Sequence, residues 1–389
     1  MSGTGPRQTP WPQSASYPLV QPLQPSVVYV TETPDAMDAQ YEGVTEGYAY
    51  AREGHPNADV VAQQIDRLEG AKGGIMTGSG MAAVGAVLMG LTKSGDHVIG
   101  GNQLYGRSLR MLRDDLPRMG VATDLFDPTD ASTLEGVIRP ETRIILVEVV
   151  SNPTLRISDM AAIAAIAKAR GILLFVDNTF TTPLGCRAYD LGADIIMHSV
   201  TKLLAGHSDA TLGYAVCKDP DLQDQMATFA MTMGLTASPF DCWLADRGLA
   251  TFPLRYAQAC RNAAKLADVL ADSPAVECVL YPGRADHPDH NRASAVLSGQ
   301  HGNMVTFDIK GGREKANALS QTQGIFPLAP TLGDVSTTLS HPASSSHRGL
   351  TDDQRHAIGI TEGTFRMSVG VEETEGLVAQ LANALANFT

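Results

Sequence analysis

From residue 55 to about residue 217 the apolar positions switch between two rhythms. Val60, Val61, Ile65 and Leu68 recur at helical spacing, which predicts a helix over 58–69 with Asn57 as its cap. Short apolar runs predict strands at 75–76, 97–100, 123–126, 143–149, 172–176, 194–198 and 213–217. Helical stretches at 81–92, 107–118, 130–138 and 159–170 fill the gaps. Ile144-Ile-Leu-Val147 and Ile172-Leu-Leu-Phe-Val176 show no polar alternation, as suits central strands covered on both faces. Strands separated by helices predict an α/β domain with a mainly parallel, seven-stranded sheet.

The flanks read differently. Residues 1–54 have no clear period, and proline recurs at 6, 10, 12, 18, 22 and 25. This predicts an extended arm with little core of its own, lying on a neighbouring subunit. Residues 221–271 are helical and Ala-rich, with a break at Pro253. Beyond 276, short strands (304–309, 365–369) mix with helices (312–320, 351–358, 374–387), a smaller α+β domain. The expected domains are therefore 1–54, 55–250 and 251–389.

Composition narrows the function classes. A net charge of −13 argues against a nucleic-acid partner, because phosphate binding needs a basic face. The five cysteines are scattered, without a C-x-x-C pair, so neither a disulfide framework nor a metal site is expected. Reducing cytoplasm is the expected location. The first 16 residues carry no apolar signal core, and the longest apolar stretch, Met81 to Leu91, is too short to span a bilayer.

Candidate chemistry gathers at strand ends. Lys202 stands just past the run Ile195–Met197, at the sheet edge where open α/β folds keep ligands. A lysine held there, partly desolvated, can act as an amine nucleophile or base; the other reading is a lysine facing water. Gly78-Ser-Gly-Met-Ala-Ala83 follows a strand and opens a helix, whose amides form an anion site. The string also fits G-x-G-x-x-A, but the acid that a dinucleotide site needs after the second strand is missing. A phosphate site and a plain tight turn both remain. Asp177 ends an apolar strand and needs a cationic partner or a turn to cap. Together the set suits pyridoxal 5′-phosphate (PLP). Lys202 would take the aldehyde and Asp177 the pyridine nitrogen. Tyr105 would stack on the ring, and the Gly80 and Met81 amides with Ser199 and Thr201 would take the phosphate.

Several strings in order then resemble one family. They are Tyr50-x-Arg52, Ser79-Gly80-Met81, Leu104-Tyr105-Gly106, Glu148-x-x-Ser-Asn-Pro153, Val176-Asp-Asn-Thr-Phe180 and His198-Ser-x-Thr-Lys202 with Gly206-His207. Trp243-Leu-x-x-Arg-Gly-Leu249, Leu332-Gly333, His341-Pro342, His347 and Phe365-Arg-Met-Ser-Val-Gly370 continue the match. The chain resembles the Cys/Met-metabolism PLP enzymes over roughly 45–389. That family holds cystathionine γ-synthase, cystathionine γ- and β-lyases, O-acetylhomoserine sulfhydrylase and methionine γ-lyase. The resemblance implies fold type I, PLP as cofactor, and a homotetramer whose sites are shared across a dimer. It implies Lys202 as the cofactor-bonded, proton-shuttling lysine and Asp177 as the partner of the ring nitrogen. Tyr105 is implied as the stacking residue and proton donor. The resemblance places Asn152 near the cofactor and the substrate carboxylate, implies that Arg366 takes the α-carboxylate, and implies that Tyr50 and Arg52 reach the neighbouring subunit's phosphate.

The departures from the family bear on the reaction. Where cystathionine enzymes usually carry Glu after Leu-Gly, this chain has Ser336; Thr331 replaces a usual Ser, and Arg107 a usual Cys of methionine γ-lyases. Arg107 or Arg110 would receive a distal carboxylate or face solvent. The missing acid at Ser336, and Ala49 before Tyr50 where some cystathionine enzymes have another, favour a small thioether substituent. The expected reaction is α,γ-elimination of L-methionine to methanethiol, 2-oxobutanoate and ammonia. The runners-up are γ-replacement on an O-acyl homoserine and cystathionine γ-lysis. From a different class comes a non-catalytic phosphate- or nucleotide-binding protein.

Overall fold

The computed structural model describes residues 14–386 and 388. A seven-stranded sheet is built from β1 (Ile75–Thr77), β2 (His97–Gly101), β3 (Ala122–Phe126), β4 (Thr142–Glu148), β5 (Leu173–Asp177), β6 (Ile195–His198) and β7 (Gly213–Cys217). Their spatial order is β1-β7-β6-β5-β4-β2-β3. All neighbours run parallel except β7, which is antiparallel to both β1 and β6. The expected mainly parallel sheet is therefore present.

The period of two in the central strands explains how both faces are covered. Ile145, Val147, Leu174, Val176 and Ile196 enter one buried cluster, which also holds Val61 and Ile65 of helix Pro56–Glu69. Ile144, Leu146, Phe175, Ile195 and Met197 enter the opposite one, with Val84 and Leu88 of helix Gly80–Gly90. An uninterrupted apolar run thus serves two cores at once. Continuing the alternation puts Glu148 and Asp177 on the face of the second cluster.

A second sheet, with order β10-β11-β9-β8, contains β8 (Val276–Leu280), β9 (Met304–Ile309), β10 (Thr338–Ser340) and β11 (Thr364–Ser368). It is antiparallel throughout. Its apolar face packs on helices Phe252–Ala271 and Thr374–Ala386 through Leu266, Leu270, Leu377 and Leu381.

Local differences from the sequence reading have physical causes. The helix at 56–69 is capped by His55, whose Nδ1 accepts from the Ala58 amide, with Pro56 in the first turn. Asn57 instead ties down the arm: its Oδ1 accepts from the Gln24 amide and its Nδ2 donates to the Pro22 carbonyl. The expected break at Pro253 is present: one helix ends at Leu249 and the next, Phe252–Ala271, begins with Pro253 in its first turn. The arm carries a short helix, Pro34–Tyr41, capped by Thr33. The part of the arm before residue 14 lies outside the described residues. No helix among the described residues is long and apolar enough to cross a membrane.

Candidate active site

The carboxyl ends of β4, β5 and β6 open into a cavity of about 800 Å³. Its lining gathers Gly80, Met81, Tyr105, Asn152, Asp177, Ser199, Thr201, Lys202, Thr331 and Arg366, and Arg107 and Arg110 stand at its mouth. Of the residues given a catalytic, cofactor or substrate role from the sequence, only Tyr50 and Arg52 do not line it. The Arg52 guanidinium sits 5.2 Å from the Tyr50 ring centre, with Glu53 Oε1 at 3.5 Å.

Lys202 sits in a turn, where its amide donates to the Ser199 carbonyl at 3.1 Å. Burial lowers its pKa, and the nearby Arg366 charge lowers it further. Asp177 and Glu148 are paired residues of adjacent parallel strands. Burial raises the Asp177 pKa; hydrogen bonds from Thr179 and the His198 charge oppose that rise. A buried carboxylate so placed calls for a cation.

One wall of the cavity carries Arg366 from the small sheet. Arg366 on β11 is buried, donates from Nη1 to Asn152 Oδ1 at 2.7 Å and from Nη2 to the Thr331 carbonyl at 3.0 Å, and keeps an unpartnered Nε. Burial lowers its pKa to about 10, so it is charged at neutral pH. The segment carrying Asn152 is fixed from several sides. The Thr306 hydroxyl donates to the Pro153 carbonyl, and Asp289 accepts from Arg156 Nε at 2.6 Å and from the Ile157 amide at 3.0 Å.

The start of helix Gly80–Gly90, capped by Ser79, opens into the cavity and could take an anion. A Cβ on Gly80 would stand 2.7 Å from Ser199 Cβ and 2.8 Å from its Oγ, so glycine keeps the helix start and the Ser199 turn together. Thr179 Oγ1 accepts from the Ser199 amide at 2.8 Å, joining the β5 and β6 ends. The Thr201 hydroxyl is engaged elsewhere, donating to the Leu212 carbonyl and accepting from its amide. On the opposite face, Glu69 Oε1 pairs with His198 and accepts from Asn178 Nδ2 at 2.9 Å. That network backs the residues next to Asp177 and Ser199.

These residues fit PLP. A helix start suits its phosphate, the buried Asp177 suits a protonated ring nitrogen, and a partly desolvated amine suits its aldehyde.

Sequence reasoning gave no role to four charged or titratable lining residues, Glu148, Arg113, His347 and Arg348. Glu148 ends an apolar strand just as Asp177 does, and that signal could have found it. Arg113 and Arg348 also line the mouth, as does the buried His347. Apolar periodicity marks none of these three: Arg113 lies in a helical turn, and His347 and Arg348 share one turn of the chain. Ser336 does not line the cavity; its amide donates to Asp334 Oδ1 at 2.8 Å. Its neighbour Thr337 donates from Oγ1 to Glu372 Oε2 at 2.9 Å. The departure at Ser336 therefore does not act by direct contact with a substituent in this cavity.

Comparisons agree with this geometry. A family model described as Cys/Met metabolism PLP-dependent enzyme matches residues 9–386. L-methionine gamma-lyase of Porphyromonas gingivalis is 36% identical, covering 94% of this chain and 92% of its own. Cystathionine gamma-lyase of Bacillus subtilis is 38% identical, covering 88% and 89%. A solved structure of a putative O-acetylhomoserine (thiol)-lyase from Campylobacter jejuni, containing N'-pyridoxyl-lysine-5'-monophosphate, superposes with a TM-score of 0.92 at 28% identity. It covers 97% of each chain.

Proposed function

Because this chain belongs to the Cys/Met metabolism family of PLP-dependent enzymes, we propose that it is a carbon–sulfur lyase performing α,γ-elimination. L-methionine is the first candidate substrate, giving methanethiol, 2-oxobutanoate and ammonia. One observation carries the choice. Among the described residues, the only carboxylates lining the cavity are Glu148 and Asp177, both at the inner sheet edge. No acid at the mouth waits for the distal ammonium of cystathionine. Met81, Val84, Leu109 and Leu332 offer apolar contact to a thioether instead.

When bound, PLP supplies an aldehyde for an amine and a ring that delocalises the electron pair left by the α-proton. The protein's own groups do the rest. Arg366 and Asn152 hold the α-carboxylate and so orient the α-proton. Lys202 Nζ, its pKa lowered, takes a proton and returns it. Asp177 would serve as the acidic partner of the ring nitrogen. The Tyr105 phenol, 38% exposed at the mouth, delivers a proton to the leaving group. Tyr50 and Arg52 of a second copy complete the phosphate site, making the working unit a homo-oligomer.

A second reading rests on the mouth itself. Arg107, Arg110, Arg113 and Arg348 line it. Asp114 stands beside Arg110 and Arg113, whereas Arg107 and Arg348 have no acidic partner among the described residues. Such a rim favours a γ-substituent with its own carboxylate, as in γ-replacement on an O-acyl homoserine whose acyl group is a half-ester. Incubation with L-methionine, L-cystathionine, or O-succinylhomoserine plus cysteine decides, reading 2-oxobutanoate and thioether. Oxoacid from methionine is expected. Thioether from the ester with no oxoacid from methionine would replace the lyase reading by the second one.

A further inference from the structure

Glu148 is the one cavity carboxyl without an assigned task. It ends β4, beside Asp177 on β5 and on the same face of the sheet. Its Oε1 accepts from the Tyr105 amide at 2.7 Å, and the Asn152 amide lies close enough to lower its pKa. Its Oε2 is buried and unpartnered. One side chain therefore touches the two backbone segments that present Tyr105 and Asn152.

The groups facing it are few. Asp177 stands on the neighbouring strand, and Arg366 approaches from β11 without forming an ion pair with it among the described residues. Tyr105 and Lys202 line the same space, and His198 acts on Asp177 from the opposite face. A carboxylate here would be desolvated, lack a cation at contact distance and repel Asp177. Two amide donors favour the anion; burial and Asp177 oppose it and prevail, lifting the pKa well above the ordinary range.

We propose that Glu148 is a positioning residue that works as an uncharged carboxylic acid. One oxygen braces the Tyr105 and Asn152 segments, and its neutrality leaves Asp177 as the only anion at that edge to face the ring nitrogen. The inference rests on the cofactor reading of the cavity, but two of its tests need no substrate. Their failure is thus separable from failure of the lyase reading.

In the holoenzyme near neutral pH, infrared spectra should show the carbonyl stretch of a protonated carboxylic acid that vanishes in Glu148→Gln. No such difference would overturn the proposal. Linkage gives a second test. A carboxyl with a raised folded pKa stabilises the fold fully below its unfolded pKa and loses that contribution as pH rises towards the folded pKa. Glu148→Gln should therefore gain in thermal midpoint over the wild type as pH rises from about 5 to about 8. A gap that does not change with pH contradicts an uncharged Glu148. The brace is tested by Glu148→Ala, which should raise KM for the amino acid about tenfold above that of Glu148→Gln, because only the amide retains the acceptor. Equal KM values would remove the brace. If the alanine variant does not fold, the infrared and midpoint measurements on the glutamine variant still decide the charge state.

Discussion

Arg366 spends two of its five donors inside the protein before any substrate arrives. Its guanidinium is aligned by Asn152 and Thr331, so an incoming carboxylate meets a fixed fork. Arg366→Lys keeps the charge but not the fork, and it strands Asn152 Oδ1. A buried acceptor left unpaired costs about 1–3 kcal/mol, so KM should rise roughly tenfold or more, read by steady-state kinetics. Lys202→Ala removes both the amine and the proton carrier. It should abolish the long-wavelength absorbance of bound PLP and lower kcat by at least about a hundredfold. His347 makes a pH prediction. It is buried near Arg366, and burial first, then that charge, lowers its pKa to about 4. Between an unfolded value of about 6.5 and that folded value, the unfolded chain binds the extra proton, so stability falls as pH drops through the window. His347→Gln should flatten the acid limb of a denaturation-against-pH curve. Lys202 and Asp177 were legible as chemistry because each follows an apolar run. Glu148 follows one too, but only the fold shows that it pairs with Asp177 across the sheet.

At the scale of elements, the strand ends create the site and two glycines let the pieces meet. Gly80 joins the helix start to the Ser199 turn. Gly333, at φ +84°, passes over the lysine turn; a Cβ there would stand 2.5 Å from the Leu203 amide nitrogen and 2.8 Å from the Lys202 carbonyl carbon. Gly333→Ala should cost about 1–3 kcal/mol for the backbone alone and displace Lys202. Chemical denaturation and cofactor absorbance would report the two effects separately. The central strands were readable because both their faces are buried. β3, with an intermediate and exposed pattern, still shows in Leu125-Phe126. The short β10 and the edge strand β8 escaped, since three residues set no period and Glu277 and Cys278 point into solvent. The helix expected over 107–118 exists, but it widens into a π turn at Met111–Asp115 before Pro117. Backbone hydrogen bonding of that kind leaves no mark in apolar spacing.

Across the whole molecule, the arm leaves unusually apolar positions uncovered in the single chain. Tyr17, Leu19 and Val30 are 91%, 99% and 96% exposed. Tyr50 and Arg52 also lie outside the cavity of their own chain. A second copy would cover such a surface and receive that pair. Complementation tests the sharing. Lys202→Ala and Arg52→Ala chains, each weak alone, should regain activity when co-assembled, because one hybrid site then has Lys202 from one copy and Arg52 from the other. No recovery in verified hybrids would show that each chain uses its own Arg52. The division of the cavity between two sheets has a further consequence. The lysine turn, Asp177 and the Gly80 helix start are all made before residue 215, whereas Thr331, Gly333 and Arg366 come more than a hundred residues later. On the ribosome, the large sheet can assemble while the wall that carries Arg366 is still unmade. A nascent chain halted before β11 would then hold Lys202, Asp177 and the Gly80 helix start without Arg366, and its absorbance with PLP is expected to respond alike to an amino acid and a simple amine.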